Sequence, residues 1–321
     1  MTKKNSLPPR VYLKHGAYYY VTLPERKWIR LGTSESDMYT ALAKIKAIDA
    51  GAGTMAEYFD RYEKEVIPTK APRTQLDNLT EIKNLKQAFG KMLPENIKPK
   101  HVYAYLDARG VTSKTRANRE KSLLSSVFST MVRWGIVESN PCKVVKSFTE
   151  KPRDRYVEDW EYQAVIALAS PVLRAAMEIA AITGMRQGDI LKLRHADLTD
   201  TGIPLTQGKT GKKQIFEWTP ALKEALKSAR DQKRVADSAV YIIANERGQA
   251  YTSNGFKSNW QRLMNKAIET GAIKNRFTFH DLRAKAGSDA VGNAQKLLGH
   301  ASAATTKKVY ERKPAKVRPI R

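Results

Sequence analysis

The spacing of apolar residues changes once along this chain, and that change restricts the fold more than any other feature. Up to Leu31 the apolar residues come in short runs rich in Tyr, Val and Ile: Val11-Tyr12-Leu13, Tyr18 to Thr22, and Trp28 to Leu31. His15-Gly16 and Pro24-Glu25 separate them, and runs punctuated in this way predict a three-strand meander. From Met38 the spacing is helical, with Met38, Ala41, Leu42 and Ile45 on one face. Residues 1–52 therefore predict a small β-β-β-α unit that runs into a Gly51-Ala52-Gly53 linker.

Helical spacing then persists. Thr54-Met55-Ala56-Glu57 is a capping-box pattern ahead of Phe59, Tyr62 and Val66, in a helix that ends near Pro68. A second helix carries Leu76, Leu79, Ile82, Leu85 and Phe89 and stops at Gly90; a third spans Pro99 to Gly110. Ser113 caps a long fourth, whose apolar side is Leu124, Val127, Phe128, Met131 and Trp134. Residues 53–148 thus predict an all-helical bundle, with Asn140-Pro141 and the basic stretch up to Arg155 as connector. Residues 149–321 predict a third domain. Its helices fall near 158–169, 171–183, 219–233 and 253–270, with three short ones after His280, Asn293 and Ser302. Its one strand pair is a hairpin over 203–218, with Gly208 to Gly211 at the turn. The fold class is mainly α with small β elements.

Charge narrows the partners. Lys and Arg number 57 against 32 Asp and Glu, a net charge of +25, and the excess runs through every segment instead of forming one tail. A polyanion is the simplest partner. No basic amphipathic helix with a Trp/Leu face points to a lipid surface. The most apolar stretch, Ala164 to Met185, is interrupted by Pro171, Arg174 and Glu178, so no membrane span is expected. The polar Met1 to Arg10 lacks the apolar run of a secretory signal. Cys142 is the single cysteine, which excludes an internal disulfide and a cysteine-based zinc site and fits a reducing, cytoplasmic setting. Lys114, Arg116, Arg119 and Lys121 begin the fourth helix and are candidates for gripping a DNA backbone; an ordinary solvated helix face is the competing reading.

Four local sequences between residues 183 and 310 carry chemistry. Thr183-Gly184-Met185-Arg186-Gln187-Gly188-Asp189 places an arginine at a helix start after a glycine break. Lys209-Thr210-Gly211 lies in the hairpin, followed by Lys212 and Lys213. His280-Asp281-Leu282-Arg283 comes next, and Leu297-Leu298-Gly299-His300 leads to Val309-Tyr310. Displacement at phosphorus loads negative charge on the non-bridging oxygens, which planar guanidinium forks bind bidentately. A phenol is a weak nucleophile at its free pKa of about 10 and needs nearby cations and a base. Taken singly, each piece reads as readily as an ordinary helix start, a surface pair or a packing aromatic; their joint order is what carries weight. His15, His101 and His195 fit no such pattern and read as surface or packing residues. Trp218 and the bundle aromatics read as core.

This ordered set resembles the tyrosine recombinase (phage integrase) family across the whole catalytic half. The first two domains are similar to that family's arm-type DNA-binding and core-binding (SAM-like) domains. The resemblance implies that Arg186, Arg283, His280 and His300 hold the scissile phosphate and assist proton transfer. It implies Lys209, with Lys212 and Lys213 as neighbouring substitutes, as proton donor to the departing 5′ oxygen. Tyr310 is then the nucleophile and Asp189 supports the active-site arginine. The implied product is a 3′-phosphotyrosyl ester with a free 5′ hydroxyl, formed without metal, ATP or other cofactor. The implied partners are double-stranded DNA at attachment-type sites, a homo-tetramer on DNA working through a Holliday junction, and DNA-bending and directionality proteins. The implied role is integration, with excision, of a prophage or other mobile element in a bacterial cell, the middle and C-terminal domains closing on the DNA.

Two departures bear on Tyr310. The Arg283 to His300 stretch is short and holds Gly287 and Gly292, which predicts a trimmed helix, and the His300 to Tyr310 spacing is one residue longer than the commonest form. Whether Tyr310 serves its own protomer or a neighbour stays open. So does the basic tail, Arg312, Lys313, Lys316, Arg318 and Arg321, which either docks on a neighbouring protomer or frays. A type IB topoisomerase shares the residue set but has no use for an arm-type domain. A non-enzymatic DNA-binding regulator has no use for the tyrosine, and a metal-dependent nuclease would need carboxylate or histidine clusters at ligand spacing.

Overall fold

The computed structural model describes residues 7–23, 26–49, 53–230, 240–290, 292 and 294–313. The turn expected at Pro24-Glu25, the Gly51-Ala52 part of the linker, residues 231–233, Asn293 and the tail from residue 314 lie outside the described residues. The chain divides into two units, Met1–Glu150 and Lys151–Arg321.

The first unit opens with strands β1 (Val11–Lys14), β2 (Ala17–Val21) and β3 (Trp28–Gly32), antiparallel in the order β1-β2-β3, followed by helix α1 (Glu35–Asp49). Val11, Tyr20 and Leu31 from the sheet meet Met38 and Leu42 from α1 in a small core. Side chains alternate across a strand, so an aromatic and basic set is left outside that core. Trp28 lies 5.4 Å from the Tyr12 ring and 6.1 Å from Tyr19, with the Lys14 ammonium 5.6 Å from its own ring. Tyr12 and Trp28 are half exposed.

Helices α2 (Met55–Glu65), α3 (Pro72–Phe89) and α4 (Pro99–Arg133) enclose a separate core that includes Phe59, Tyr62, Ile82, Leu85, Leu124 and Phe128. Thr54 is the N-cap of α2, and Glu57 reaches back to the Gly53 amide at 2.5 Å. Two differences from the sequence pattern have simple causes. Leu76 and Leu79 of α3 are exposed: steps of three residues drift around a 3.6-residue turn, so Leu76 ends on the side opposite Leu85. The third and fourth expected helices run on as the single α4, broken where Ser113 takes extended angles (φ −163°, ψ 104°) and its Oγ accepts from the Arg116 amide at 3.4 Å. The capping role of Ser113 is thus realised inside a longer helix.

The second unit contains α5 (Asp159–Leu168), α6 (Pro171–Thr183), the short α7 (Gln187–Ile190) and a hairpin of β4 (Gly202–Thr206) and β5 (Lys213–Glu217). It continues with α8 (Pro220–Arg230), α9 (Ser253–Glu269), α10 (Phe279–Asp289), α11 (Ala294–Leu298) and α12 (Ala303–Val309). Helix α6 is buried nearly all round, through Leu173, Ala175, Ala176, Met177, Ile179 and Ala180, and so forms the centre of the unit. Pro171 at its first turn separates it from α5, which resolves the apolar stretch into two core helices. Among the described residues no helix is long and apolar enough to cross a membrane.

Candidate active site

Three backbone breaks bring the motif residues together. Helix α6 ends on Gly184 in the left-handed region (φ +63°), where a Cβ would lie 2.7 Å from the Leu298 side chain. The chain therefore turns sharply, and Arg186 becomes the N-cap of α7. Gly299 (φ +65°) ends α11 in the same way, and any side chain there would strike Gln207 and Gln214 of the hairpin. The third break is the hairpin turn, which Asp189 ties down by accepting from the Gly208 amide at 3.0 Å.

Helix α10 supplies His280 and Arg283 from one face, since residues three apart are neighbours on a helix. Arg283 is 2 % exposed, the largest of the fully buried side chains. Its Nη1 donates to the Gly184 carbonyl, and its Nη2 to the Leu298 carbonyl at 2.6 Å and to His300 Nε2 at 3.1 Å. Its Nε is buried with no hydrogen-bond partner among the described residues, as is Asp189 Oδ2. A buried cation with a donor to spare is what an anion-binding site requires. Burial and the neighbouring Arg186 both act to lower the Arg283 pKa.

Arginine has only donors, so His300 Nε2 must accept, and the imidazole carries its proton on Nδ1, 2.9 Å from Thr306 Oγ1. Burial, then Arg283, Arg186, Lys212 and His280, push the His300 pKa down from 6.5 to about 4. His280 is lowered by burial and by Arg283, against the opposing pull of Asp281. Both imidazoles are consequently neutral near pH 7 and able to accept protons.

Tyr310 follows α12 directly and is 9 % exposed. Its Oη lies 3.1 Å from His280 Nε2. The His300 ring is tilted against it at 4.6 Å, and the Arg283 guanidinium carbon lies 5.4 Å from the ring centre. Gly287 falls inside α10, where a Cβ would meet Leu298 at 2.7 Å and the Tyr310 Cβ at 3.4 Å. Gly287 thus admits α11 and the tyrosine, and α11, in the same Arg283 to His300 stretch, is a helix of five residues.

Arg186 donates to Gln207 Oε1 at 2.5 Å. Gln207 was missed from the sequence; its Oε1 also accepts from Thr210 Oγ1 at 2.8 Å and its Nε2 donates to the Leu298 carbonyl at 3.2 Å. One buried amide thereby joins the first arginine, the hairpin turn and the loop before His300. A signal was available: Ile203 and Gln207 are both buried on the strand-period alternation that continues beyond β4, so this polar residue points inward. Thr306 and Ser288 were missed too, and a lone hydroxyl in a helix gives no such signal.

Lys209 is exposed at the hairpin turn and Lys213 is exposed on β5. Lys212, also exposed, is the hairpin cation that lowers the His300 pKa. The basic residues of α4 belong to the first unit. Lys114, Arg116 and Arg119 are exposed and Lys121 is half-buried. Lys114 lies over the Phe148 ring at 5.6 Å, and Arg119 pairs with Glu150 at 3.5 Å.

The geometry thus brings a phenol, two neutral imidazoles and two arginines together, a set of groups suited to holding an anion. The phage integrase family model matches residues 156–316, half of the chain, and the chain belongs to that family of tyrosine recombinases. Its relatives include the integrase of Escherichia phage HK022, 27% identical over 332 residues covering 94% of this chain and 92% of the relative. The integrase of Escherichia phage lambda is 28% identical over 335 residues at the same coverage. Solved structures of lambda integrase, one a dimer bound to a COC′ core site and one a tetramer bound to a Holliday junction, superimpose with a TM-score of 0.70. They do so at 23% identity and with 99% of each chain covered.

Proposed function

We propose that this site-specific recombinase is a phage-type integrase in which Tyr310 attacks a DNA phosphodiester, giving a 3′-phosphotyrosyl ester and a free 5′ hydroxyl. The observation that carries this reading is the Tyr310 hydroxyl 3.1 Å from the neutral His280 imidazole, with Arg283 and His300 against its ring. The phenol proton passes to His280 Nε2 as the O–P bond forms. Arg186 and Arg283 hold the non-bridging oxygens, and the unpartnered Nε of Arg283 supplies a donor for one of them. His300 is a further donor once an anion raises its pKa. Lys209 protonates the leaving 5′ oxygen, with Lys212 and Lys213 beside it on the hairpin. The ester conserves the bond energy, so a second 5′ hydroxyl rejoins the strands by the reverse path.

The division of labour follows the three sequence regions: 149–321 for catalysis, 53–148 for the core site and 1–52 for accessory sites. The exposed Tyr12, Trp28 and Lys14 face of the N-terminal sheet supports the last, and Lys114, Arg116, Arg119 and Lys121 on α4 support the second. Because solved lambda integrase is seen as a dimer on a core site and a tetramer on a Holliday junction, we assign this chain a tetrameric assembly on DNA, in the bacterial host of a mobile element.

Covalent trapping tests the reading. The protein is mixed in EDTA with nicked DNA carrying the sequences that flank its gene, then quenched in SDS. An adduct blocked at the DNA 3′ end is expected with Tyr310 and absent in Tyr310→Phe. Tight binding without an adduct would favour the regulator, and relaxation of supercoils without sequence choice the topoisomerase.

A further inference from the structure

We propose that Arg312 is the positioning residue that seats Tyr310 against His280 of its own chain, by clasping the carboxylate adjacent to that histidine. The inference rests on Tyr310 being the nucleophile.

Arg312 lies two residues beyond the tyrosine, in a tail whose composition suggests a solvated basic end, yet its side chain is only 5 % exposed. Its Nη1 donates to Asp281 Oδ1 at 2.7 Å and to the Arg155 carbonyl at 3.1 Å. Its Nε donates to the Val309 carbonyl at 2.8 Å, closing the chain back over the end of α12. Ser288 completes the hold: its Oγ donates to the Tyr310 carbonyl at 2.7 Å and accepts from the Arg312 amide at 2.7 Å. The backbone is therefore pinned on both sides of the nucleophile. The tail expectation is corrected to this extent: Arg312 docks within its own unit, and Lys313 pairs with Asp289 at 3.0 Å.

The anchor has a defined place. Asp281 is 1 % exposed, and its Oδ2 already accepts from the Thr278 amide at 2.7 Å and the Thr278 hydroxyl at 2.8 Å at the start of α10, with Arg153 at 3.4 Å. That carboxylate cannot move without the helix, and His280 is the preceding residue. The phenol's proton acceptor and the anchor of its chain are thus one rigid piece. Burying an ion pair is a weak source of stability, because desolvation offsets most of the attraction. What it does supply is a fixed register between two segments 31 residues apart.

The test uses the full chain with Arg312→Ala and Arg312→Lys, reading DNA binding by gel shift, melting temperature, and single-turnover adduct formation as a function of pH. Arg312→Ala is expected to bind DNA like the parent but to form adduct about 100-fold more slowly, the scale set by an ångström of misplacement. Its rate should keep rising with pH into the alkaline range, as hydroxide takes over from the displaced base, whereas the parent levels off once His280 is neutral. Arg312→Lys, which can still reach Asp281, should recover most of the rate and the parental plateau. Adduct formation by Arg312→Ala at the parental rate would overturn the proposal. So would a slower rate with an unchanged pH profile and no recovery in Arg312→Lys, which marks a merely structural contact. If Arg312→Ala fails to fold, Arg312→Lys alone decides: a parental pH profile at a modestly reduced rate supports the clasp, and a rate as low as that of Tyr310→Phe contradicts it. Loss of adduct by the parent protein would instead remove the nucleophile assignment, so the two failures are distinguishable.

Discussion

The two walls of the site are built to opposite rules. The α10 wall is buried and over-determined: Arg283 contacts two carbonyls and a histidine, His300 is fixed by Thr306, and Tyr310 is bracketed by Ser288 and Arg312. The hairpin wall exposes three lysines, and its buried connections are Gln207 and the Asp189 contact to Gly208. Groups that stabilise developing charge gain from being oriented before the substrate arrives, and a low-dielectric surrounding strengthens them. On the proposed mechanism a proton donor must follow a leaving group that departs, and a lysine on a flexible stem at an exposed turn has the freedom to do so.

The largest predicted effect breaks the rigid wall. Arg283→Lys keeps the charge but puts a single compact ammonium in place of a planar fork whose separate nitrogens reach the Gly184 and Leu298 carbonyls and leave Nε for a phosphate. Adduct formation should fall about 1,000-fold or more, the scale of losing a preorganised donor, while DNA binding, spread over many phosphates, changes little. A Lys variant that cleaves normally would show that one ammonium suffices and that the buried fork has another purpose.

The contrast also explains what the sequence disclosed. Arg186, His280, Arg283, His300 and Tyr310 were legible because their residue types are chemically distinctive and occur in order. Pro99, Pro171, Gly90 and Gly184 mark element ends by backbone rules that operate locally. Gln207, Thr306 and Ser288 were not read, because an amide or a hydroxyl acquires its role from partners far away in sequence: Gln207 and Leu298 are 91 residues apart. Arg312 was read as tail because composition reports average exposure and not the one carboxylate waiting at Asp281. Leu76 and Leu79 belong to the apolar pattern of α3 yet are exposed, because a three-residue repeat imitates a helical face over short distances before it drifts.

A medium effect separates the lysines of the flexible wall. Lys209→Ala should slow cleavage about 100-fold, the lower end of the range of general acid catalysis. A substrate with sulfur in place of the scissile 5′ oxygen releases a thiolate that needs no proton, and should restore most of that rate. Lys212→Ala should lose less and show no sulfur rescue, since its charge acts on His300. The reverse pattern would transfer the acid role to Lys212.

The smallest effect concerns stability and joins the two walls. Folded His300 binds its proton only near pH 4, whereas in the unfolded chain it does so near 6.5. Between those values the unfolded state holds more protons, so stability rises with pH across the window and is lost as pH falls from 6.5 toward 4. His280, lowered by burial and by the same arginines, adds a contribution of the same sign. The melting temperature of the protein should therefore drop by a few degrees on acidification, and His300→Gln should flatten the slope. Lys212→Met, which removes one of the cations that depress His300 from the hairpin side, should flatten it by less. Inorganic sulfate should do likewise, since an anion between Arg186 and Arg283 offsets the positive field that adds to burial in lowering both histidines. If His300→Gln flattens the slope and Lys212→Met leaves it unchanged, the depressed histidine is not electrostatically coupled to the hairpin; if His300→Gln leaves it unchanged as well, His300 is not the group that sets it.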